Sequence, residues 1–424
     1  MEVSMRTLVI AEDFPWPTDS GARLRLVSVL RGLSRCGPTE LASVVSKFRS
    51  DFGDTDPAMG LVKVERIGFD NRPPSGIGLA ATLVRPSMPF GLPWRDGPLV
   101  QAAISRFATG TYDLVWYFGA RSWVLAGATA EVPTVVDLID LEDQKILARL
   151  AVPRPPAVGA AAQLRRVVAT QVSREEVRRW QRLHRRVERS GATTVVCSTT
   201  DTKRATTAGV KHVAAVANGY DVPLSPLGRE EVASPATVLF PGLLTYPPNV
   251  DAARLLAQEI GPALREWVPD AQIRLVGNHD GKLDDLQDPP RVTVTGRVDD
   301  IGDELGRADL VVVPLRYGSG TRLKILEAFA HRIPVVSTTL GAEGLGAEDG
   351  THLLVADSVP NLAQACSRLL TDVALRRTIV ERAHSLFLER FKSEIIEEQV
   401  ASLARQVAGV DASSPGDRPT TVPD

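Results

Sequence analysis

Leu310-Val-Val-Val-Pro-Leu-Arg-Tyr-Gly-Ser-Gly-Thr-Arg-Leu-Lys-Ile-Leu-Glu327 is the stretch on which the reading of this 424-residue chain turns. Leu310–Val313 is an unbroken apolar run, suited to a strand buried on both faces. Gly318 and Gly320 break it, and from Thr321 onward Leu323, Leu326 and Ala330 recur at helical spacing. A strand, a glycine turn and a helix start leave free backbone N–H groups and the positive end of the helix dipole pointing outward, which makes a cradle for an anion. Arg322 and Lys324 add positive charge beside it. Glu327 lies about two turns in, where an acidic side chain can accept hydrogen bonds from the paired hydroxyls of a ribose. Taken singly, these features read as tight packing, surface charge and a helix-face carboxylate. Together they point to binding.

Outward from this segment, short β-branched runs alternate with helix-length amphipathic segments, the pattern of parallel α/β layers. Expected strands in the first half are Thr7–Ala11, Leu41–Val45, Val62–Ile67, Leu114–Tyr117, Thr134–Leu138, Thr194–Ser198 and His212–Ala217. After the polar segment Asp221–Pro235 the pattern restarts with Val238–Phe240, Ile273–Val276, Val292–Thr295, Leu310–Val313, Val335–Ser337 and Leu353–Val355. Two α/β halves meeting near residue 225 follow, which suits a chain too long for one ordinary core. Asn71–Pro98, rich in proline and glycine, reads as a long irregular connection, and the polar tail 411–424 as disordered.

Leu164–Val187 reads as one helix with Leu164, Val168, Val177, Trp180, Leu183 and Val187 along an apolar side. Its other side carries Arg165, Arg166, Arg174, Arg178, Arg179, Arg182, Arg185, Arg186 and Arg189. A solvated face is the plain reading of the arginines in 164–189; peripheral contact with lipid headgroups or an anionic acceptor is the other.

Lys and Arg number 49 against 51 Asp and Glu, so the chain has no bias toward nucleic acid, and any anion site must be local. Cys36, Cys197 and Cys366 are scattered, odd in number and without metal-ligand spacing. No apolar stretch reaches the length of a membrane span. These features suit a cytoplasmic protein, at most peripheral to the inner face of a membrane.

Gly318–Leu345, GSGTRLKILEAFAHRIPVVSTTLGAEGL, resembles the donor-binding signature of the group 1, or family 4, retaining glycosyltransferases of the GT-B fold. Further likenesses run from about residue 6 to 395: Pro15–Arg25 to their first loop, Val195–Asp221 to their last N-domain strands, Phe240–Asn249 and Leu275–Gly277 to the opening of their C-domain, and Val294–Asp300 to their nucleobase loop. The resemblance implies two Rossmann-like domains facing each other across a cleft: residues 1–225 on the acceptor side and 226–395 holding a nucleotide-sugar. A helix at 396–410 would pack back on the first domain. It also implies transfer of a sugar to a small-molecule, glycan or lipid-linked acceptor with retention of configuration, the nucleoside diphosphate sugar being co-substrate and no further cofactor being needed.

Residue by residue, the resemblance implies that Glu327 holds the ribose, that Gly318, Ser319, Gly320, Thr321 and Arg322 meet the diphosphate or sugar, and that Arg297 and Val298 flank the base. Gly242 would line the donor site after the first C-domain strand. Gly21 would let the other domain close over the donor, with Arg23 or Arg25 near the sugar. Asp137, Asp140 and Glu142 fall where a sugar contact is expected, or form a strand end and helix cap.

This chain departs from the family pattern in three places. Ser319 stands where a second glutamate is often found, Leu243–Asn249 lacks the usual arginine and lysine, and the N-domain histidine has no match. Arg322 and Lys324 are expected to do that electrostatic work, with no metal. Asp284-Asp285 and Asp299-Asp300 read as turn and cap residues rather than ligands. A nucleotide-sugar epimerase of the same fold and a non-catalytic sugar-nucleotide binder are the alternative readings.

Overall fold

The structure, a computed structural model, describes residues 4–70, 88–90, 92, 96–128, 131–152, 159–298, 300–318 and 322–410. Most of Asn71–Pro98, the tail 411–424, Asp299 and the three site candidates Ser319, Gly320 and Thr321 lie outside these residues.

The first seven strands are β1 (Thr7–Ala11), β2 (Thr39–Ser46), β3 (Lys63–Phe69), β4 (Leu114–Phe118), β5 (Thr134–Asp137), β6 (Thr193–Val196) and β7 (Val213–Ala215). They form one sheet in the order β3-β2-β1-β4-β5-β6-β7. The remaining six are β8 (Thr237–Pro241), β9 (Gln272–Val276), β10 (Val292–Gly296), β11 (Leu310–Val313), β12 (Val335–Ser337) and β13 (Leu354–Val355). Their order is β10-β9-β8-β11-β12-β13. Every pairing between these strands is parallel, so each strand must be reached by a crossover that covers a sheet face.

That covering explains the apolar runs. Successive residues of a strand point to opposite faces. In β4, Leu114, Trp116 and Phe118 join one core and Val115 and Tyr117 the other. A strand buried on both faces has no room for alternation with polar residues, hence LVWYF in β4 and LVVV in β11. In both sheets the direction of winding reverses beside the first strand, between β1 and β4 and between β8 and β11. At such a point adjacent loops leave the strand ends in opposite directions and open a crevice.

The chain crosses between the lobes twice, and the crossings are stitched together. Tyr220 N–H donates to the Phe391 carbonyl at 2.9 Å, and Ser393 N–H donates to the Tyr220 carbonyl at 3.0 Å. The last helix, Ser393–Ala408, then packs into the first lobe: Ile396, Val400, Ala401 and Ala404 sit in the same core as β1 and β4. It lies so close to the helix Gly21–Ser34 that a Cβ on Gly32 would be 2.6 Å from the Glu397 carbonyl oxygen.

The long helix spans Ala160–Arg189, and here the structure corrects the sequence reading. Val177, Leu183 and Val187 are buried as expected, but Leu164 and Val168 are 65% and 52% exposed. The apolar stripe therefore continues past the edge of the body. The arginines divide too: Arg179 is buried, donates to the Met88 carbonyl at 3.0 Å and stacks over Phe90, while Arg182 pairs with Glu175 at 3.0 Å.

Candidate active site

The quoted segment builds one wall of the crevice at the β8/β11 reversal. β11 ends at Val313, and the helix that follows runs Leu323–Ala330 with Ile325, Leu326, Ala328, Phe329 and Ala330 buried. Burial of that face fixes the other: Lys324 and Glu327, three apart, share the opposite side of the helix. Both keep some solvent-accessible surface, so the crevice reaches them.

Lys324 donates to Asn249 Oδ1 at 3.0 Å, and its ammonium lies 4.1 Å from the centroid of the Phe240 ring at the end of β8. Gly242 makes room for it. The φ of Gly242 is +147°, and a Cβ there would come within 2.9 Å of Lys324 Nζ. A lysine from the helix Leu323–Ala330 thus delivers charge to the loop after β8, where the sequence itself offers none. Burial lowers its ammonium to about 7, and repulsion from Arg322 acts the same way.

Glu327 is shifted the other way. Burial raises its carboxyl to about 7, opposed by the hydrogen bond from Tyr220 Oη at 3.0 Å and by Lys324. Tyr220 was not singled out from sequence. Arg322 is 8% exposed, and its guanidinium packs on Gly318, whose Cβ would sit 3.1 Å from Nη2. Burial pulls Arg322 below its ordinary value, while Asp140 and Asp201 of one lobe and Tyr246 and Glu343 of the other pull it back. The two lobes therefore meet around Arg322.

The facing wall comes from the β1/β4 reversal. Gly21 opens the helix Gly21–Ser34 directly against the second lobe: a Cβ there would be 2.9 Å from Leu323 Cδ1. Two further expectations are corrected by this wall. Arg23, 1% exposed, is turned into its own lobe and held by Asp19 at 2.7 Å and Asp51 at 2.9 Å. Arg25, 2% exposed, pairs with the fully buried Asp137 at 2.9 Å and donates to the Val216 carbonyl at 2.9 Å and Asn218 Oδ1 at 2.8 Å. Arg25 and Asp137 satisfy each other at the end of β5, inside the first lobe, rather than facing a sugar.

Asp140 does face the crevice. Lys145 Nζ lies 3.3 Å from Asp140 Oδ2 and also pairs with Glu142, and it sits 5.3 Å from the Tyr246 ring of the other lobe. Burial works against the Lys145 charge, but Asp140 and Glu142 outweigh it and hold the ammonium above its usual value. Glu12, the residue just past β1, is a further carboxyl here. It accepts from Arg121 N–H at 2.9 Å and fills the space a Cβ on Gly119 would occupy; burial raises its carboxyl, against the pull of Arg121. Its sequence signal was position, the first residue beyond a strand flanking the reversal.

Toward the β10 edge, Arg297 bonds Asp19 of the first lobe at 3.2 Å, and Val298 packs on the second core. On the far side Arg204 and Glu343 join the lobes at 2.7 Å. Asp300 caps the helix Ile301–Leu305, and Asp285 pairs with Arg254 at 2.6 Å.

Two all-parallel lobes whose winding reversals face one another define the GT-B class of glycosyltransferase architecture. Residues 235–372, within the second lobe, match the family model for glycosyl transferases group 1. Over 111 residues the chain is 37% identical to an exopolysaccharide phosphotransferase of Streptomyces coelicolor, covering 26% of this chain and 12% of that protein. Over 121 residues it is 31% identical to the alpha-D-kanosaminyltransferase of Streptomyces kanamyceticus, covering 28% of this chain and 31% of that one. The matches thus span well under half of these relatives. Among solved structures, Anabaena HepE in complex with UDP-glucose superposes with a TM-score of 0.59 at 19% identity, covering 95% of this chain and all of that one. No helix among the described residues is long and apolar enough to cross a membrane.

Proposed function

We propose that this chain transfers a glycosyl group from a nucleoside diphosphate sugar to an acceptor hydroxyl, with retention of anomeric configuration. The observation that carries the reading is the convergence of Arg322, Lys324 and Glu327 on one crevice at the β8/β11 reversal, opposite Gly21.

Breaking the anomeric C–O bond builds negative charge on the departing diphosphate. Donors fixed in advance near that charge are the largest catalytic effect open to a protein. Arg322 and Lys324 are such donors, already desolvated and held by Gly318, Asn249 and Phe240. They supply the positive charge in place of a metal ion. Glu327, oriented by Tyr220, accepts from the ribose hydroxyls. Arg297 and Val298 flank the base toward the β10 edge. Asp140, Glu12 and the loops of the first lobe meet the sugar and acceptor. For retention, the acceptor attacks from the face the diphosphate leaves, and a diphosphate oxygen takes the acceptor proton. Closure of Gly21 onto Leu323 keeps water from competing.

Purified protein is incubated with labelled UDP-, GDP-, ADP- and dTDP-sugars and a panel of hydroxyl acceptors, and the product's anomeric configuration is read by NMR. Transfer with retention supports the reading. An epimerised donor, or nucleotide binding with no turnover on any acceptor, replaces it.

A further inference from the structure

We propose that the first turns of the helix Ala160–Arg189 are a docking face for an anionic lipid bilayer. Between Gln163 and Val172 almost every residue is exposed, so this end of the helix projects from the body. Leu164, Val167, Val168 and Val172 are 65%, 56%, 52% and 50% exposed, a cluster of large apolar side chains that the fold leaves in water.

Their spacing is ordered. At 100° per residue the four fall within an arc of roughly 140° on one side of the helix. Arg165 lies just beyond one border of that arc and Arg174 just beyond the other, both exposed. An apolar face bordered by long cationic side chains is the arrangement of a helix lying in a membrane interface, its apolar side chains among the acyl chains and its arginines reaching the phosphates.

Charge selects the partner. From Gln144 to Arg174 the sequence holds no Asp or Glu. At the base of the projection Glu175 is taken by Arg179 and Arg182, and Glu176 by the Phe90 N–H at 2.9 Å. A second copy meeting this face would bring arginine borders against arginine borders with no carboxylate to relieve them, which disfavours self-pairing. Anionic headgroups relieve that repulsion.

The helix Glu142–Ala151 packs against Ala160–Arg189 at Gln181 and His184 and carries exposed Leu147 and Arg149 toward its far end. Its other end holds Lys145 at the crevice. Asp143, beside the crevice end, meets Gln181 of the long helix, so the docking residues Val172 to Leu164 lie about 14 to 26 Å further along it. A lipid-linked acceptor could enter from that side. That consequence rests on the transfer reading, whereas the docking does not and is assayed without turnover.

The full chain is sedimented with vesicles of phosphatidylcholine containing phosphatidylglycerol, and with vesicles of phosphatidylcholine alone, at low and high salt. Binding is expected to the anionic vesicles, weakened by salt. The exposed pair Leu164→Ser/Val168→Ser should lower affinity about tenfold or more with an unchanged melting temperature. Arg165→Gln/Arg174→Gln should remove the preference for anionic vesicles. The proposal is overturned if the wild-type chain ignores anionic vesicles, if the serine pair binds as wild type does, or if the serine pair instead splits a dimer that shows no vesicle binding.

Discussion

Tyr220 Oη donates to Glu327 Oε1 at 3.0 Å, and Tyr220 is also the residue whose backbone is stitched to Phe391 and Ser393 where the chain crosses between lobes. The carboxylate proposed to hold the ribose is therefore oriented from the hinge. Tyr220→Phe keeps the ring and its edge contact with His331 and removes only the donor. A carboxylate that loses a donor is less readily ionised, so nucleoside diphosphate affinity should fall, by about tenfold. Isothermal titration of the variant checks this, and wild-type affinity would detach Tyr220 from the site.

Glu327→Gln separates function from stability. The Glu327 carboxyl is raised from 4.5 to about 7 by burial, so the folded state holds a proton that the unfolded state releases. The resulting cost to stability is absent below pH 4.5, grows between 4.5 and 7, and is complete above 7. The amide removes that cost and still accepts from Tyr220. The variant should melt at a higher temperature than wild type at pH 8 and at nearly the same temperature at pH 4, while binding nucleotide more weakly. Melting curves at the two pH values, with and without nucleotide, decide it.

Lys324 makes donor binding itself pH-dependent. Its ammonium is lowered from 10.5 to about 7, so its charge disappears as pH rises through 7. A diphosphate stabilises that charge, and binding above pH 7 must therefore take up a proton. Affinity should decline by as much as about tenfold per pH unit above 7. Lys324→Met should bind weakly with no such slope. Titrations in two buffers of different ionisation enthalpy would count the proton directly.

The order of strands in sequence was legible because a strand buried on both faces must be an apolar run. Leu310–Val313 and Val335–Ser337 fall at the expected residues. Thr134–Leu138 was one residue too long: Ile139 adopts a φ of 55°, a left-handed turn that a β-branched residue rarely enters and that no pattern announces. The charges of the second lobe were legible for the same reason as its helix, since burial of Ile325 and Leu326 dictates where Lys324 and Glu327 point. What could not be read was pairing across long separations. Arg25 sits in a motif-like first loop, and only the folded chain brings it to Asp137, 112 positions away. Tyr220, Asn249 and Lys145 were missed because each is ordinary in sequence and acquires its role from a partner on another segment. The projecting half of Ala160–Arg189 was misread because helical periodicity does not state where the body ends.

Arg322 and Arg25 are both buried arginines, and exchanging each for methionine should give opposite phenotypes. Arg322 faces charge that builds only as the glycosidic bond breaks, so Arg322→Met should lower kcat by about 10²–10³, with a smaller change in the binding of the intact nucleoside diphosphate sugar. Because burial already penalises its guanidinium, the fold should tolerate the change. Arg25→Met strands the carboxylate of Asp137 in the first lobe, which costs about 3–5 kcal/mol. Adding Asp137→Leu to Arg25→Met should recover most of that loss, since two apolar side chains need no partner. Chemical denaturation of the first lobe and steady-state kinetics on the same proteins distinguish the two roles. A kcat loss for the Arg25→Met/Asp137→Leu pair as large as that for Arg322→Met would return Arg25 to the sugar.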